Sequence, residues 1–434
     1  MHQILQNFKI KKLNDMQLAS IDANKKNNDV ILVAPTGSGK TLAFLLPLIS
    51  IIDANKKGVQ VLIIAPSREL AIQIEQVFKT MATGFKVNCC YGGHSTKTER
   101  NNLEEAPTVL IGTPGRLCYH INRKHIDTST IETLIIDEFD KGLEFGFQDD
   151  MESIVKSLPK LKKRILTSAT NSIELPDFMG LNKPVTLNYF TTDDVPSKLE
   201  VRIVKAEKTD KLDALFNLIC TIGNKPTIVF CNHREAVDRI SDLLHHQGLA
   251  HDVFHGGMEQ DERERALIKF RNGSHSVLIS TDLAARGLDI PEIEYVIHYQ
   301  LPLTIETYTH RNGRTARMHA KGVAYLILGE EEYQPKFITE KIEVEKIEAT
   351  KIIPPPPVWE TLYISVGKKE KVNKIDIVGL LLQKGNLQKD ELGLIEVLDH
   401  CAFAAVKRTK IQSLLQAIKN EKLKGKSAKI SVAK

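Results

Sequence analysis

The sequence predicts an α/β protein in which two parallel-sheet domains follow one another and a small α+β domain comes last. Two successive series of short apolar runs alternating with helical patterns predict the two sheets. A proline run followed by the order strand, helix, strand, strand, helix, strand predicts the small domain. At 434 residues the chain exceeds one comfortable core, which agrees with several domains.

The bulk properties narrow the class. With 42% hydrophobic and 26% charged residues, the composition is that of an ordinary globular chain. A net charge of +5 is compatible with nucleic acid without requiring it. Six cysteines with no C-x-x-C spacing fit reduced thiols in a cytoplasm and argue against structural zinc. The longest apolar stretch, Leu42 to Ile52, is interrupted by Pro47 and Ser50, and Met1 to Lys12 has no continuous apolar core. Neither a membrane span nor a secretory signal is expected.

The first domain, residues 1–196, is organised around Val30 to Thr41, an apolar run ending in Ala34-Pro35-Thr36-Gly37-Ser38-Gly39-Lys40-Thr41. Such a run reads as a buried parallel strand. Gly37 and Gly39 lack a Cβ, so the backbone can turn successive N–H groups toward one anion. Lys40 supplies a point charge for β- and γ-phosphates, and the Thr41 hydroxyl suits Mg²⁺. Further strands are expected at Val61 to Ala65, Val109 to Gly112, Leu134 to Asp137 and Ile165 to Ser168. Ligands of such sheets bind at the carboxyl ends of strands, where Arg68, Thr113, Arg116, Asp137, Glu138 and Thr170 stand. Asp137 and Glu138 close an apolar strand. Alone they would be surface polarity, but after a phosphate loop they suit an Mg²⁺ ligand and a base that activates water.

A charged segment, Thr191 to Lys208, is expected to be irregular and to lead into the second domain, residues 209–335. Its strands are expected at Thr227 to Cys231, His251 to His255, Val277 to Ser280, Tyr295 to His298 and Val323 to Leu328. None is followed by a phosphate loop, so this domain should serve the first one's nucleotide. His310 to Arg317 gathers several cations. A solvated basic patch would explain them, whereas Arg314 and Arg317 could also neutralise charge developing on a γ-phosphate. Hydroxyls and guanidinium in Ser280 to Asp289 suit the phosphates of a nucleic-acid strand.

Glu330 to Lys351 reads as an exposed helix or tether within a linker, residues 336–358, which Pro354 to Pro357 extends. The last domain, residues 359–434, has the split-βαβ order of RNA-recognition folds. Its basic end, Lys407, Arg408, Lys410, Lys419, Lys422, Lys424, Lys426 and Lys429, would add salt-dependent affinity for RNA. Tyr363 and Phe403 hold candidate sheet positions without the usual stacking signature, so binding through loops and the basic edge is expected.

Taken together, the chain resembles the DEAD-box RNA helicases of superfamily 2. The matches run in the family's order: Gln17, A-P-T-G-S-G-K-T from Ala34, P-S-R-E-L from Pro66, Gly92-Gly93, T-P-G-R from Thr113, D-E-F-D from Asp137 and S-A-T from Ser168. They continue with V-F-C-N from Val229, Gln260 with Arg263, T-D-L-A-A-R-G-L-D from Thr281, and H-R-x-G-R-x-x-R from His310. The resemblance implies two RecA-like domains, an RNA-dependent ATPase and helicase, and ATP with Mg²⁺ as cofactors. It implies that Gln17 reads adenine, that Ala34 to Thr41 hold the phosphates, and that Asp289 lies near ribose and phosphates. Asp137 with Thr41 would hold Mg²⁺, Glu138 would act on water, Arg314 and Arg317 would serve as fingers, and Ser168 and Thr170 would couple hydrolysis to domain closure. RNA would be gripped by Arg68, Gly93, Thr113, Gly115, Arg116, Asn232, Gln260, Arg263, Thr281 and Arg286.

Phe139 stands where the family has Ala, Ala316 where it has Gly, and Leu13 and Asp15 where it has Pro near the Gln. The Phe139 exchange should alter a contact behind the Mg²⁺ site and leave catalysis intact. The last domain resembles that of DbpA-type helicases, with Lys374 to Gly379 nearest the family's D-I-V-G helix. That implies structured ribosomal RNA as partner, ribosome assembly as setting, and a cytoplasmic monomer. An ATP-gated RNA clamp without productive unwinding and a DNA translocase are the alternative readings.

Overall fold

The computed structural model describes the chain except residues 1, 27, 36, 94, 95, 145, 169, 171–174, 190–198, 208, 209, 286–292, 316–321, 351 and 434. Four expected site residues, Thr36, Arg286, Asp289 and Arg317, lie outside the described residues. The chain divides into two compact units, the first reaching Ser197 and the second beginning at Lys198.

The first unit is built on a seven-stranded parallel sheet: β1 (Asp29–Val33), β2 (Val61–Ile64), β3 (Val87–Cys90), β4 (Val109–Gly112), β5 (Thr133–Ile136), β6 (Lys163–Ser168) and β7 (Val185–Asn188), in spatial order β3-β4-β2-β5-β6-β1-β7. β1, β2, β4 and β5 are buried at every residue, because helices cover both faces and leave no polar side. Two apolar clusters fill the space above and below, one centred on Phe44, Ile63, Ile74 and Phe78, the other on Leu62, Leu117, Leu134 and Ile154. Phe139 is fully buried in the second cluster, so its ring extends the core behind the β5 end.

The second unit holds a sheet of the same kind: β8 (Leu199–Lys205), β9 (Thr227–Phe230), β10 (Asp252–Phe254), β11 (Val277–Ser280), β12 (Tyr295–His298), β13 (Gly322–Leu328) and β14 (Glu343–Val344), ordered β10-β11-β9-β12-β13-β8-β14. Two expectations are corrected. Leu199–Lys205, inside the segment expected to be irregular, is a full strand paired along its whole length with β13, so the sheet starts before residue 209. Its charged residues alternate with Leu199, Val201, Ile203 and Val204, and only the latter pair is buried, which hides the strand in a charge-rich sequence. The stretch expected as a helix or tether contributes β14, which caps the sheet beside β8, and Arg202 pairs with Glu345 at 2.8 Å.

The small domain in the same unit has β15 (Trp359–Ile364), β16 (Leu392–Val397), β17 (Ala402–Lys407), a β18–β19 hairpin (Lys422–Leu423, Lys426–Ser427) and β20 (Ile430–Val432). Its main sheet runs β16-β17-β15-β20, antiparallel throughout, with the helices Lys374–Gly379 and Ile411–Ala417 on one face over Leu362, Ala404, Leu381 and Leu414. This is the split-βαβ order the sequence predicts. The opposite face meets the Gln260–Arg271 helix: Ile268, Phe403 and Ala433 form one buried cluster with Tyr363 packed on it. Buried Thr361 bonds Ser274 at 2.5 Å and accepts from Asn272 at 3.1 Å. Arg408 donates to the Ser274 carbonyl and pairs with Glu360.

Candidate functional site

Every site residue of the first unit except Gln17 follows from one fact of topology: the strands are parallel, so their carboxyl ends share one edge. Along that edge the order is β3 with Gly92 and Gly93, β4 with Thr113 to Arg116, β2 with Arg68, β5 with Asp137 and Glu138, β6 with Ser168 and Thr170, and β1 with the phosphate-loop sequence. The three strands expected to touch RNA are contiguous, and so are the three expected to handle nucleotide.

At the nucleotide end Gly37 and Gly39 take φ of 84° and 91°, and Gly39 precedes the Lys40–Leu45 helix. The positive φ favours glycine at Gly39, where a Cβ would lie 2.8 Å from the Nε2 tip of Gln17 and displace it. Gln17 and Asn14 bond each other's backbone N–H groups, at 3.1 and 2.9 Å, as a cap on the Asp15–Lys26 helix. Asn14 also donates to the Ser38 carbonyl at 3.0 Å and Gln17 Nε2 lies 3.5 Å from the Gly39 carbonyl. The expected adenine reader is thus tied to the loop. Lys40 is buried and donates to the carbonyls of Ala34 at 2.5 Å and Pro35 at 3.0 Å.

Asp137 is buried, and burial pushes its carboxyl above the ordinary value, opposed by the Thr167 hydrogen bond and the Lys40 charge. Glu138 sits at φ +49°, a left-handed conformation uncommon for a residue with a Cβ, and its N–H bonds Asp137 Oδ1 and Thr167 Oγ1, both at 3.1 Å. Ser168 Oγ accepts from the Thr170 N–H at 2.9 Å, and Thr170 Oγ1 donates to Asp140 Oδ2 at 3.4 Å. The β5 and β6 ends are therefore cross-tied by Asp137–Thr167 and Asp140–Thr170. Asp140 ends the D-E-F-D match, whereas Thr167 belongs to no motif. Thr167 is a polar residue inside an apolar strand, which was the available signal.

At the other end Arg68 opens the Arg68–Thr80 helix behind the Ser67 cap and lies against Gly92, where a Cβ would approach Arg68 Nη2 to 3.0 Å. Gly93 has φ 96°. A Cβ at Gly115 would stand 3.3 Å from Asp150 Oδ2.

In the second unit Gln260 and Arg263 are hydrogen-bonded to each other on the first turn of their helix, with Arg263 buried. Thr281 follows β11, half-buried. Asn232, expected at the RNA strand, is committed internally: its N–H donates to Gln300, its Oδ1 accepts from Arg311 Nη2 at 2.7 Å, and its Nδ2 donates to the Leu301 carbonyl at 3.1 Å. Arg311, the first arginine of H-R-x-G-R-x-x-R, is the hub. It is fully buried, bonds Asp282 at 2.6 Å and the Gln300 carbonyl at 2.8 Å, and so joins the ends of β9, β11 and β12. Arg314 is buried just past the Ile305–Asn312 helix.

The tail's basic residues divide, which corrects the expectation of one basic end. Lys407 pairs with Asp390 at 2.6 Å, Lys410 with Glu391 at 2.9 Å and Lys424 with Asp376 at 3.0 Å, while Arg408 is a docking residue. Lys419, Lys422, Lys426 and Lys429 are exposed. The sheet face carrying Phe403 is covered, which is why stacking on it is not available. No described helix is long and apolar enough to cross a membrane.

Three family models match in succession: a DEAD/DEAH box helicase domain over residues 14–178, a helicase conserved C-terminal domain over 210–319, and a DbpA RNA binding domain over 361–432. The ATP-dependent RNA helicase DbpA of Escherichia coli (strain K12) is 30% identical over 97% of this chain and 94% of its own length. That of Bacillus subtilis (strain 168) is 29% identical over 96% and 94%. Among solved structures, S. cerevisiae Dbp5 bound to RNA and ADP BeF3 aligns with a TM-score of 0.70 at 25% identity, covering 80% of this chain and 94% of that one. With the three family models matched in succession and a relative 30% identical over nearly the whole chain, the chain belongs to the DEAD-box ATP-dependent RNA helicases and carries a DbpA-type RNA-binding domain.

Proposed function

We propose that this helicase uses ATP with Mg²⁺ to open structured ribosomal RNA locally during ribosome assembly, acting as a monomer in a reducing compartment. The observation that carries the reading is the edge order of the first sheet, in which three contiguous strand ends suit RNA and the next three suit nucleotide. The donor set fits the cofactor: a glycine cradle that a Cβ would fill, a buried lysine, and a buried carboxylate beside it. Thr41 and Asp137 would hold Mg²⁺, which would neutralise phosphate charge. Glu138 takes a proton from the attacking water as the water oxygen bonds the γ-phosphorus and the bond from that phosphorus to the ADP oxygen breaks. Gln17, Ala34 to Thr41 and Asp289 bind ATP, Arg314 and Arg317 steady the γ-phosphoryl charge, and Ser168 and Thr170 relay its state. Arg68, Gly93, Thr113, Gly115, Arg116, Asn232, Gln260, Arg263, Thr281 and Arg286 contact the strand, Asn232 while also bonding Arg311.

The ribosomal address is supported by the DbpA-type domain and by its exposed lysines. Lys424 donates to the Lys371 carbonyl and so joins the hairpin bearing Lys422 and Lys426 to the loop bearing Lys368 and Lys369. Six free cysteines support a reducing compartment. The test compares ATPase rates with structured ribosomal RNA fragments, unstructured RNA of equal length and DNA of the same sequence. Stimulation confined to structured ribosomal RNA is expected, and equal stimulation by all three would reject the address. Release of a short labelled strand separates a helicase from a clamp.

A further inference from the structure

The Thr96–Glu104 helix is polar almost throughout, yet two of its residues, Glu99 and Leu103, are buried on one face. A leucine there is ordinary. A carboxylate nine-tenths or more removed from water needs partners, and Glu99 has three. Its Oε1 accepts from the Tyr91 N–H at 3.0 Å. Its Oε2 meets His120 Nε2 at 2.8 Å and lies 3.4 Å from Arg116 Nε. Tyr91 immediately precedes Gly92 and Gly93, and Arg116 stands on the first turn of the Pro114–Asn122 helix, one turn before His120. One carboxylate therefore reaches both the β3 turn and the β4 turn.

We propose that Glu99 is a positioning residue for RNA: it holds the Tyr91–Gly93 turn with one oxygen and the Arg116 guanidinium with the other, so that the two phosphate-contacting turns act as one. This rests on the reading that Gly93 and Arg116 contact the strand. His120 fixes the rotation of the carboxylate. A carboxylate only accepts, so His120 Nε2 carries a hydrogen, while its Nδ1 shares a hydrogen bond with His125 Nδ1, 3.0 Å away. Arg116 has two of its neighbours fixed as well, since its stem follows Thr113-Pro114-Gly115 and its head lies 5.9 Å from the Tyr119 ring. An arginine held in advance loses less freedom on meeting phosphate than one that must be ordered on binding.

Cys90, Glu99 and His120 offer atoms within 4.8 Å of one another, the one such group among the described residues. A cation is nevertheless a poor occupant: Arg116 already supplies positive charge to Glu99, and the buried Cys90 thiol, pushed up to about 12 chiefly by burial, stays protonated.

The test uses the full chain with a labelled single-stranded RNA and a nonhydrolysable ATP analogue, read by fluorescence anisotropy, with melting temperature recorded for every variant. Glu99→Gln keeps an oxygen for Tyr91 but turns an amide donor toward Arg116 and His120. It should weaken RNA about tenfold, the size expected for losing one charge-assisted bond. Arg116→Ala should weaken RNA as well, and Glu99→Gln added to it should change affinity less than twofold, because the charge acts through that arginine. His120→Leu should weaken RNA in the same direction while His120→Gln, which retains a donor, recovers most of the loss. If Arg116→Ala weakens RNA and Glu99→Gln does not, or if the two add in full, the inference falls. If Arg116→Ala itself leaves affinity unchanged, the placement of the RNA edge falls instead. Zinc found at one equivalent in the purified chain would overturn the hydrogen-bonded arrangement.

Discussion

Glu138 shows how one residue can be costly to hold and needed at once. A left-handed conformation costs an L-residue on the order of 1–2 kcal/mol, and the structure holds Glu138 there through its N–H bonds to Asp137 and Thr167. The bend sends the chain straight into the Phe139–Glu144 helix while leaving both carboxylates at the strand end. Glu138→Gln should fold with the same bend, bind ATP analogue and RNA together, and lower turnover by about 10² or more, as expected when a general base is removed. A turnover within a few-fold of the parent would remove Glu138 from that role. Lys40→Ala should act earlier, at ATP binding itself, because it deletes the point charge and leaves the Ala34 and Pro35 carbonyls without their donor. Nucleotide titration monitored by a fluorescent analogue separates the two variants: loss of binding for the first, retention for the second.

Elements explain which parts of this molecule could be read from its sequence. Strands buried on every residue, such as β2, β5, β9 and β11, announce themselves as unbroken apolar runs, and the residues after them are the candidates for the site. β8 and β14 lie toward the sheet edge, where polar residues cost little, so their pattern resembles a linker. Glu99 was invisible for a different reason: a carboxylate in a polar helix looks solvated until its neighbours on two other elements are known.

The helix Ile305–Asn312 carries the same lesson in its titration. His298 on β12 is fully buried against it, bonds Asn312 at 3.0 Å, and is held down to about 3 by burial first and by the Arg311 charge second. Its native pKa is below the unfolded value of about 6.5, so the unfolded chain binds the proton more readily. Its contribution is therefore complete above about pH 6.5 and is lost as pH falls toward 3, with a slope of up to about 1.4 kcal/mol per pH unit. Urea unfolding followed by Trp359, the single tryptophan, should show this between pH 6.5 and 5. His298→Gln should flatten that part of the slope; an unchanged slope would assign it to other groups.

At the scale of the whole molecule, the second unit joins two folds through a surface that RNA-recognition sheets ordinarily expose. Thr361, Ser274 and Asn272 are buried together, Ile268 meets Phe403, and Trp359 runs beside Gly273, where a Cβ would lie 3.6 Å from the indole. Of the small domain's exposed lysines, Lys422, Lys424 and Lys426 lie on its hairpin and Lys368 and Lys369 on the loop before the Lys374–Gly379 helix. The contact holds the small domain at a fixed offset from the Gln260–Arg271 helix. Thr361→Val removes the acceptor on which Asn272 and Ser274 converge. Leaving such buried groups unmatched costs roughly 1–3 kcal/mol, enough to loosen the contact without unfolding either fold. The variant should keep its affinity for structured RNA, because the lysines are untouched, and should shift Trp359 emission toward that of a solvated indole. Strand release per ATP consumed should fall, since the domain that grips the RNA no longer moves with the one that carries Arg311 and Arg314. Equal affinity with undiminished release would mean the small domain is only a tether.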